Sequence, residues 1–272
     1  MSASALAGLV FSNLAILALA MTVLWAISVR IKDASIVDIA WGPACALPGL
    51  LTFLRTDGAD PRALVLTALV CLWALRLGVY LSARNLGHGE DFRYVKMREK
   101  QGSDAAFARW SLVFVFWLQC AIAWFVSLPT QLGQFGGPGL GLLAYLGVAI
   151  FFVGLAFETV GDWQLRRFKS DAANQGKLMT SGLWAYTRHP NYFGDAAVWS
   201  GLTMIALEAP FGWATLLSPI VMTYFLYNVS GKALLERSME KKYPEYADYK
   251  KRVSGFIPLP PRKDDKRVPA ST

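Results

Sequence analysis

The stretch Gly182-Leu183-Trp184-Ala185-Tyr186-Thr187-Arg188-His189-Pro190-Asn191-Tyr192-Phe193-Gly194-Asp195 decides how this chain is read. It carries one of only two histidines, with a guanidinium, an amide, a carboxylate and two tyrosines close by. Pro190 suits the first turn of a helix, where its missing N–H costs nothing. From Tyr192 to Leu207 the chain is apolar enough to enter a membrane, with Asp195 one turn inside. A polar cluster therefore stands where a helix meets the bilayer, and the free N–H groups of that first turn favour anions. A surface loop with interfacial aromatics would share these features, so the rest of the chain has to decide.

Composition settles the environment. Of 272 residues 54% are hydrophobic and only 17% charged, which points to an integral membrane protein. The net charge of +8 does not argue for nucleic acid, because the basic residues form no single stripe; they fall between apolar runs. Cys45, Cys71 and Cys120 each lie in an apolar stretch and suggest neither a disulfide framework nor a metal site. The first apolar run, 5–29, lacks the basic start of a cleaved signal peptide and is expected to stay as an anchor.

Seven spans are expected, at 5–29, 34–54, 63–83, 110–129, 139–164, 192–208 and 211–230. Of the 27 Lys and Arg, only Arg55 and Arg62 fall on one side, and Arg76 lies within a span. The others gather on the opposite side or at its edge, which the positive-inside rule makes cytoplasmic. The expectation is an all-α polytopic protein, N-terminus out and C-terminus in, set in a bacterial inner membrane. One transmembrane domain covers 1–258 and a disordered cytoplasmic tail 259–272. In the second span, Trp41-Gly42-Pro43 and Leu47-Pro48-Gly49 should kink or break the helix, which is tolerated where freed carbonyls meet protein or a cavity. A charged segment at 232–252, with Tyr243, Tyr246 and Tyr249 at three-residue spacing, reads as a helix along the cytoplasmic surface.

Ionisable groups inside spans raise a functional hypothesis. Asp38 lies near the cytoplasmic entry of the second span and Arg76 within the third; a structural ion pair between them is the plainer alternative. Glu158, Asp162 and Arg166 recur at steps of four, on one helix face, and Asp195 and Trp199 repeat that spacing on the sixth span. One polar cavity entered from the cytoplasm would account for all of them. Arg84, Arg93, Arg166, Arg167, Lys169, Lys177 and Arg188 suit a phosphorylated ligand, though basic loops beside membranes also meet lipid headgroups. Asn191 and Asp195 suit an amide or ribose, and Trp184, Tyr192 and Trp199 a flat ring. That combination describes a nucleotide cofactor; no GxGxxG follows a strand, so it would not sit in a soluble dinucleotide-binding domain.

The stretch 182–195 is similar to the C-terminal motif of the steroid 5α-reductase superfamily, which is related to sterol reductases and isoprenylcysteine carboxyl methyltransferases. Ser35-Ile36-Val37-Asp38-Ile39-Ala40-Trp41-Gly42, Arg84-Asn85-Leu86-Gly87, Gly89-Glu90-Asp91, Arg93-Tyr94 and Phe256-Ile257-Pro258 resemble its uncharacterised bacterial branch, over roughly residues 35–258. The resemblance implies a seven-helix membrane reductase holding NADPH in a cytoplasm-facing cavity. It implies that Asp162, Lys169, Asn191, Asp195 and Trp199 hold the cofactor, with Glu158 where the reductases often have an amide. The wider cofactor set is Arg84, Asn85, Arg166, Arg188, His189, Tyr192 and Glu236. Asp38 matches the acid that polarises an enone carbonyl, with Arg76 nearby, and Trp73 stands where those enzymes have a catalytic tyrosine. An indole N–H donates a hydrogen bond but does not release a proton as a phenol does.

The expected activity is NADPH-dependent reduction of a conjugated carbon–carbon double bond in an apolar, steroid- or lipid-like substrate. The chain's expected partners are that substrate and membrane lipids, with no nucleic acid and no metal. One alternative is an S-adenosylmethionine-dependent methyltransferase of a lipid or prenylated thiol, in which Glu236 holds the ligand's ammonium or ribose. The other is a lipid-binding membrane protein without catalysis.

Overall fold

A computed structural model describes residues 2–56, 60–136, 139–229 and 232–262. The end of the seventh expected span at 230, and 263–272 of the expected tail, lie outside them. The fold is all-helical: among the described residues there is no strand, only a lone bridge between Thr187 and Ser254.

The helices follow from capping and hydropathy. α1 (Ala3–Ile31) opens on Ser2, whose hydroxyl accepts from the Ala5 N–H. α2 (Ile36–Leu54) carries both prolines, and α3 (Pro61–Asn85) opens on an Asp60 cap with Pro61 in its first turn. α4 (Phe92–Gln101) is short and polar. α5 (Asp104–Ser111) runs through a π-helical turn, Leu112–Trp117, into α6 (Leu118–Val126), and α7 (Leu128–Leu132) follows. α8 (Leu142–Ser170) is long, and α9 (Pro190–Ala206) begins at Pro190, as the sequence implies. α10 (Leu217–Tyr224) leads into a second π-helical turn, Phe225–Val229, before α11 (Lys232–Lys242) and α12 (Tyr246–Arg252).

Five helical stretches are long and apolar enough to cross a membrane: Ala3–Ile31, Ile36–Leu54, Pro61–Asn85, Asp104–Val126 and Leu142–Ser170. They match the first five expected spans. The sixth corresponds to the 17 residues of α9, and the seventh is divided among a 3₁₀ turn at Gly212–Thr215, α10 and the second π-helical turn.

The chain groups into two compact units, Met1–Ala149 with Ser200–Pro219, and Ile150–Trp199 with Ile220–Thr272. In the first, the proline-bearing helix α2 crosses α3 so closely that a Cβ on Gly42 would lie 2.9 Å from the Ala74 carbonyl. The carbonyls around Pro48 meet protein donors, since a bilayer has no water to satisfy them. Asn13 Nδ2 donates to Pro48 O at 3.2 Å and Gln134 Nε2 to Gly49 O at 2.8 Å. Asn13 also donates to Thr52 and Gln131. Arg62, expected beside the sparse outer loop, is buried and holds the carbonyls of Gly133 and Gly136.

In the second unit α8 meets α9 at two glycines. A Cβ on Gly194 would lie 2.6 Å from Gly154 O and 2.8 Å from Glu158 Cγ, so only hydrogen fits between these helices. The aromatic face of 243–253 is buried: Tyr246, Tyr249 and Val253 cluster with Leu178, Met239 and Tyr243.

Candidate functional site

The second unit builds its polar centre from the turn before α9. Gly182 takes φ +62°, a left-handed conformation open to glycine, and its Cα lies against the Gln164 amide. Leu183 N–H donates to Gln164 Oε1 at 2.9 Å, and Trp184 Nε1 donates to Gly161 O at 3.2 Å. These bonds fix the 3₁₀ turn Gly182–Ala185 against α8 and so aim the residues that follow.

Arg188 is the hub. Its Nε donates to Glu236 Oε1 at 2.9 Å, and its Nη1 donates to Val253 O at 2.5 Å and Lys250 O at 3.1 Å. Its backbone N–H goes to Ser254 O. Around it Thr187 Oγ1 donates to Phe256 O, Tyr249 OH to Trp184 O, and Leu259 N–H to Tyr186 O. His189 Nε2 lies 3.2 Å from the same Glu236 oxygen, and its ring stacks on Tyr192 with centroids 5.3 Å apart. Burial opposes charge on Glu236, but hydrogen bonds from His189 and Arg188, with the Arg188 charge, hold its carboxyl down to about 2. Burial likewise pushes the Tyr246 and Tyr249 phenols up.

Glu236, a ligand contact in the methyltransferase alternative, has its Oε1 bonded to Arg188 and His189, while Oε2 lies 3.9 Å from Lys250 Nζ. The sequence marks Phe256-Ile257-Pro258 as a motif but carries no local signal that 236–259 straps onto the turn at 184–188.

Deeper along α8, Glu158 and Asp162 are both buried. Asn191 Nδ2 donates to Asp162 Oδ1 at 3.4 Å, and Glu158 lies against Gly194. Asp195 is half-buried and Trp199 fully buried. Arg166 and Lys169, farther along the same stripe of α8, are exposed. One helix face thus runs from buried carboxylates to exposed bases.

The first unit holds the expected catalytic residues. Asp38 accepts from Arg93 Nη2 at 2.6 Å on one oxygen and from Tyr94 OH at 2.8 Å on the other. Burial, then the Asp38 charge, pushes Tyr94 well above the ordinary tyrosine range, so it stays a donor; the Gln119 amide opposes that shift. Tyr94 is the functional candidate that was missed, though it stood beside Arg93 in the quoted motif. Trp73 is fully buried in α3, and the Arg76 guanidinium lies over the Tyr80 ring at 5.6 Å. Arg84 flanks the same ring at 5.7 Å and donates to Asn85 Oδ1. Among the described residues, no three His, Cys, Asp or Glu side chains are grouped to hold a metal ion.

These features define a class: an all-helical protein with membrane-spanning helices, an Arg-His-Pro turn at the head of a helix, and carboxylates buried behind it. The chain belongs to the family described as a protein of unknown function (DUF1295), which matches residues 24–253 and falls in a steroid 5-alpha reductase-like superfamily. It is 24% identical over 265 residues to an uncharacterized protein of Schizosaccharomyces pombe, covering 87% of this chain and 76% of that one. Shorter matches join it to two proteins named as methyltransferases. A probable O-methyltransferase of Ustilaginoidea virens is 32% identical over 88 residues, 32% of this chain and 29% of the other. The protein-S-isoprenylcysteine O-methyltransferase of Dictyostelium discoideum is 29% identical over 109 residues, 38% and 42% of the two chains. No solved structure matches the chain significantly.

Proposed function

We propose that this protein is an integral membrane enzyme of seven spans, one functional domain over 1–258, that reduces a conjugated carbon–carbon double bond with NADPH. Its setting would be a bacterial inner membrane, with the cofactor entering from the cytoplasm. The observation that carries the reading is the gradient along α8. Glu158 and Asp162 are buried with Asn191 bonded to Asp162, and Arg166 and Lys169 follow, exposed, on the same face. Carboxylates and an amide suit ribose hydroxyls and a carboxamide; exposed bases two turns on suit phosphates. NADPH would supply the hydride. Arg188 and His189 would act by fixing the turn that positions Asn191 and Asp195. In the first unit, the Tyr94 phenol would turn its one O–H from Asp38 to a developing enolate oxygen.

A second reading, an S-adenosylmethionine-dependent methyltransferase, is favoured by the likeness to two proteins named as methyltransferases. Melting of the purified protein in detergent separates the two by linkage to the folded state. The reductase reading expects NADPH to raise the melting temperature more than NADH or S-adenosylmethionine. Stabilisation by S-adenosylmethionine alone would transfer the assignment to the methyltransferase.

A further inference from the structure

A cavity of about 230 Å³ lies in the first unit, where α1 ends and α5 begins. Its walls include Ser28, Lys32, Arg98, Asp104, Phe107 and Ser111. The cavity lies at the ends of two stretches long and apolar enough to cross a membrane, Ala3–Ile31 and Asp104–Val126. Trp25, one turn before Ser28, donates its indole N–H to the carbonyl of Ala108, a residue of the cavity wall, at 2.9 Å. Val29 and Ile31 are exposed beside it.

The two cations at the cavity are bridged by a single exposed carboxylate. Asp104 Oδ2 lies 3.1 Å from Lys32 Nζ, and Asp104 Oδ1 lies 3.2 Å from Arg98 Nη1. Arg98 is held from its other edge by Glu90 and lies over the Phe107 ring at 4.3 Å. The guanidinium is therefore fixed in place, while Asp104 is exposed and bridges the two cations much as a phosphate oxygen pair would.

An independent observation falls on Lys32. It is the one non-glycine residue with positive φ among the described residues, at +56°, and its N–H caps α1 by bonding Ser28 O. Asp33 N–H bonds the same carbonyl. Glycine is the residue this position favours, and a side chain there costs backbone strain. The strained position carries a cation whose ammonium group faces Asp104.

We propose that this cavity binds the headgroup of an anionic phospholipid. The phosphate takes the place of Asp104 between Lys32 and Arg98, and the acyl chains leave past Val29 along the outside of α1. Freed Asp104 remains in the first turn of α5, where a carboxylate is favoured by the helix dipole. Loss of an exposed ion pair offers little resistance to the exchange. The site is independent of the cofactor assignment.

The test is melting of the full-length protein in detergent with added phosphatidylglycerol, phosphatidylcholine or soluble glycerol 3-phosphate. Phosphatidylglycerol should raise the midpoint by about 3 °C or more over phosphatidylcholine. That difference should vanish in Lys32→Gly, which relieves the strained backbone and so does not lose the response by failing to fold. It should persist in Lys241→Gln, a control on the exposed side of α11. Three results overturn the proposal: equal responses to the two lipids, an equal loss in both variants, or the full shift from glycerol 3-phosphate alone.

Discussion

Replacing Glu236 by glutamine removes the charge on which Arg188 and His189 converge, and its effect can be worked from the structure. The carboxyl is buried and held at about 2 rather than near 4.5. A depression of that size corresponds to about 3 kcal/mol of stability. Because the folded value is the lower one, that stability is complete above about pH 5 and is lost as pH falls toward 2. By pH 3 about 2 kcal/mol should be gone, a fall in melting temperature of about 4–8 °C for a chain of this size. Glu236→Gln has none of this to lose. We expect it to melt lower than the wild type at neutral pH and to show a flatter dependence between pH 6 and pH 3. The assay is tryptophan fluorescence melting in detergent across that range. Parallel pH profiles for the two proteins would refute the ion cluster as described.

Gly194→Ala should destabilise the protein by about 1–3 kcal/mol, since its methyl would meet Gly154 O and Glu158. Gly8→Ala, with open space around it, should be neutral or slightly stabilising, and comparison of melting temperatures checks both. Asn191→Ala and Asp195→Ala should weaken NADPH binding about tenfold to a hundredfold in titrations, whereas Asp38→Asn and Tyr94→Phe should bind it nearly normally and fail to oxidise it in single turnover. Loss of cofactor binding or folding in Asp38→Asn would make the Asp38–Arg93–Tyr94 cluster structural. A tag after Thr272 should be cytoplasmic and one before Met1 on the other side; labelling both from one side would remove a span.

Legibility tracked distance along the chain. The first five spans could be read because apolar length is a local property, and Pro190 could be placed because its preference for a first turn is local too. Glu158, Asp162 and Arg166 were legible as a stripe for the same reason: four-residue spacing is a property of the helix itself. The partners of Asp38 were not. Arg93 and Tyr94 lie 55 and 56 residues away on a short polar helix, and hydropathy says nothing about which loop folds back. The amides Asn13, Gln131 and Gln134 escaped notice because single polar residues barely alter an apolar run. The bonds of Asn13 and Gln134 to the carbonyls of Pro48 and Gly49 join residues 35 and 85 apart in the chain, which no local pattern shows.

Arg188 shows the same limit with a consequence for function. In the sequence it reads as a cation for phosphate, since an arginine beside a helix start suits anions. In the structure its Nε and Nη1 fasten Glu236, Lys250 and Val253, and its backbone holds Ser254, so it secures a strap contributed from 48 to 66 residues downstream. That duty is structural and would be the same for either proposed reaction. An Arg-His-Pro turn can therefore be common to reductases and methyltransferases without telling them apart. Under the proposed reading, the discriminating chemistry would lie one and two turns deeper, at Asn191 and Asp195 on α9 and at Glu158 and Asp162 on α8. Substitution at Arg188 should consequently lower stability whichever cofactor is used, while substitution at Asn191 should alter affinity for the true cofactor alone. Arg188→Lys keeps the charge but loses the planar fork that reaches a carboxylate and two carbonyls together. Its melting temperature should fall with or without NADPH, and an unchanged melting temperature with weakened NADPH binding would return Arg188 to the cofactor.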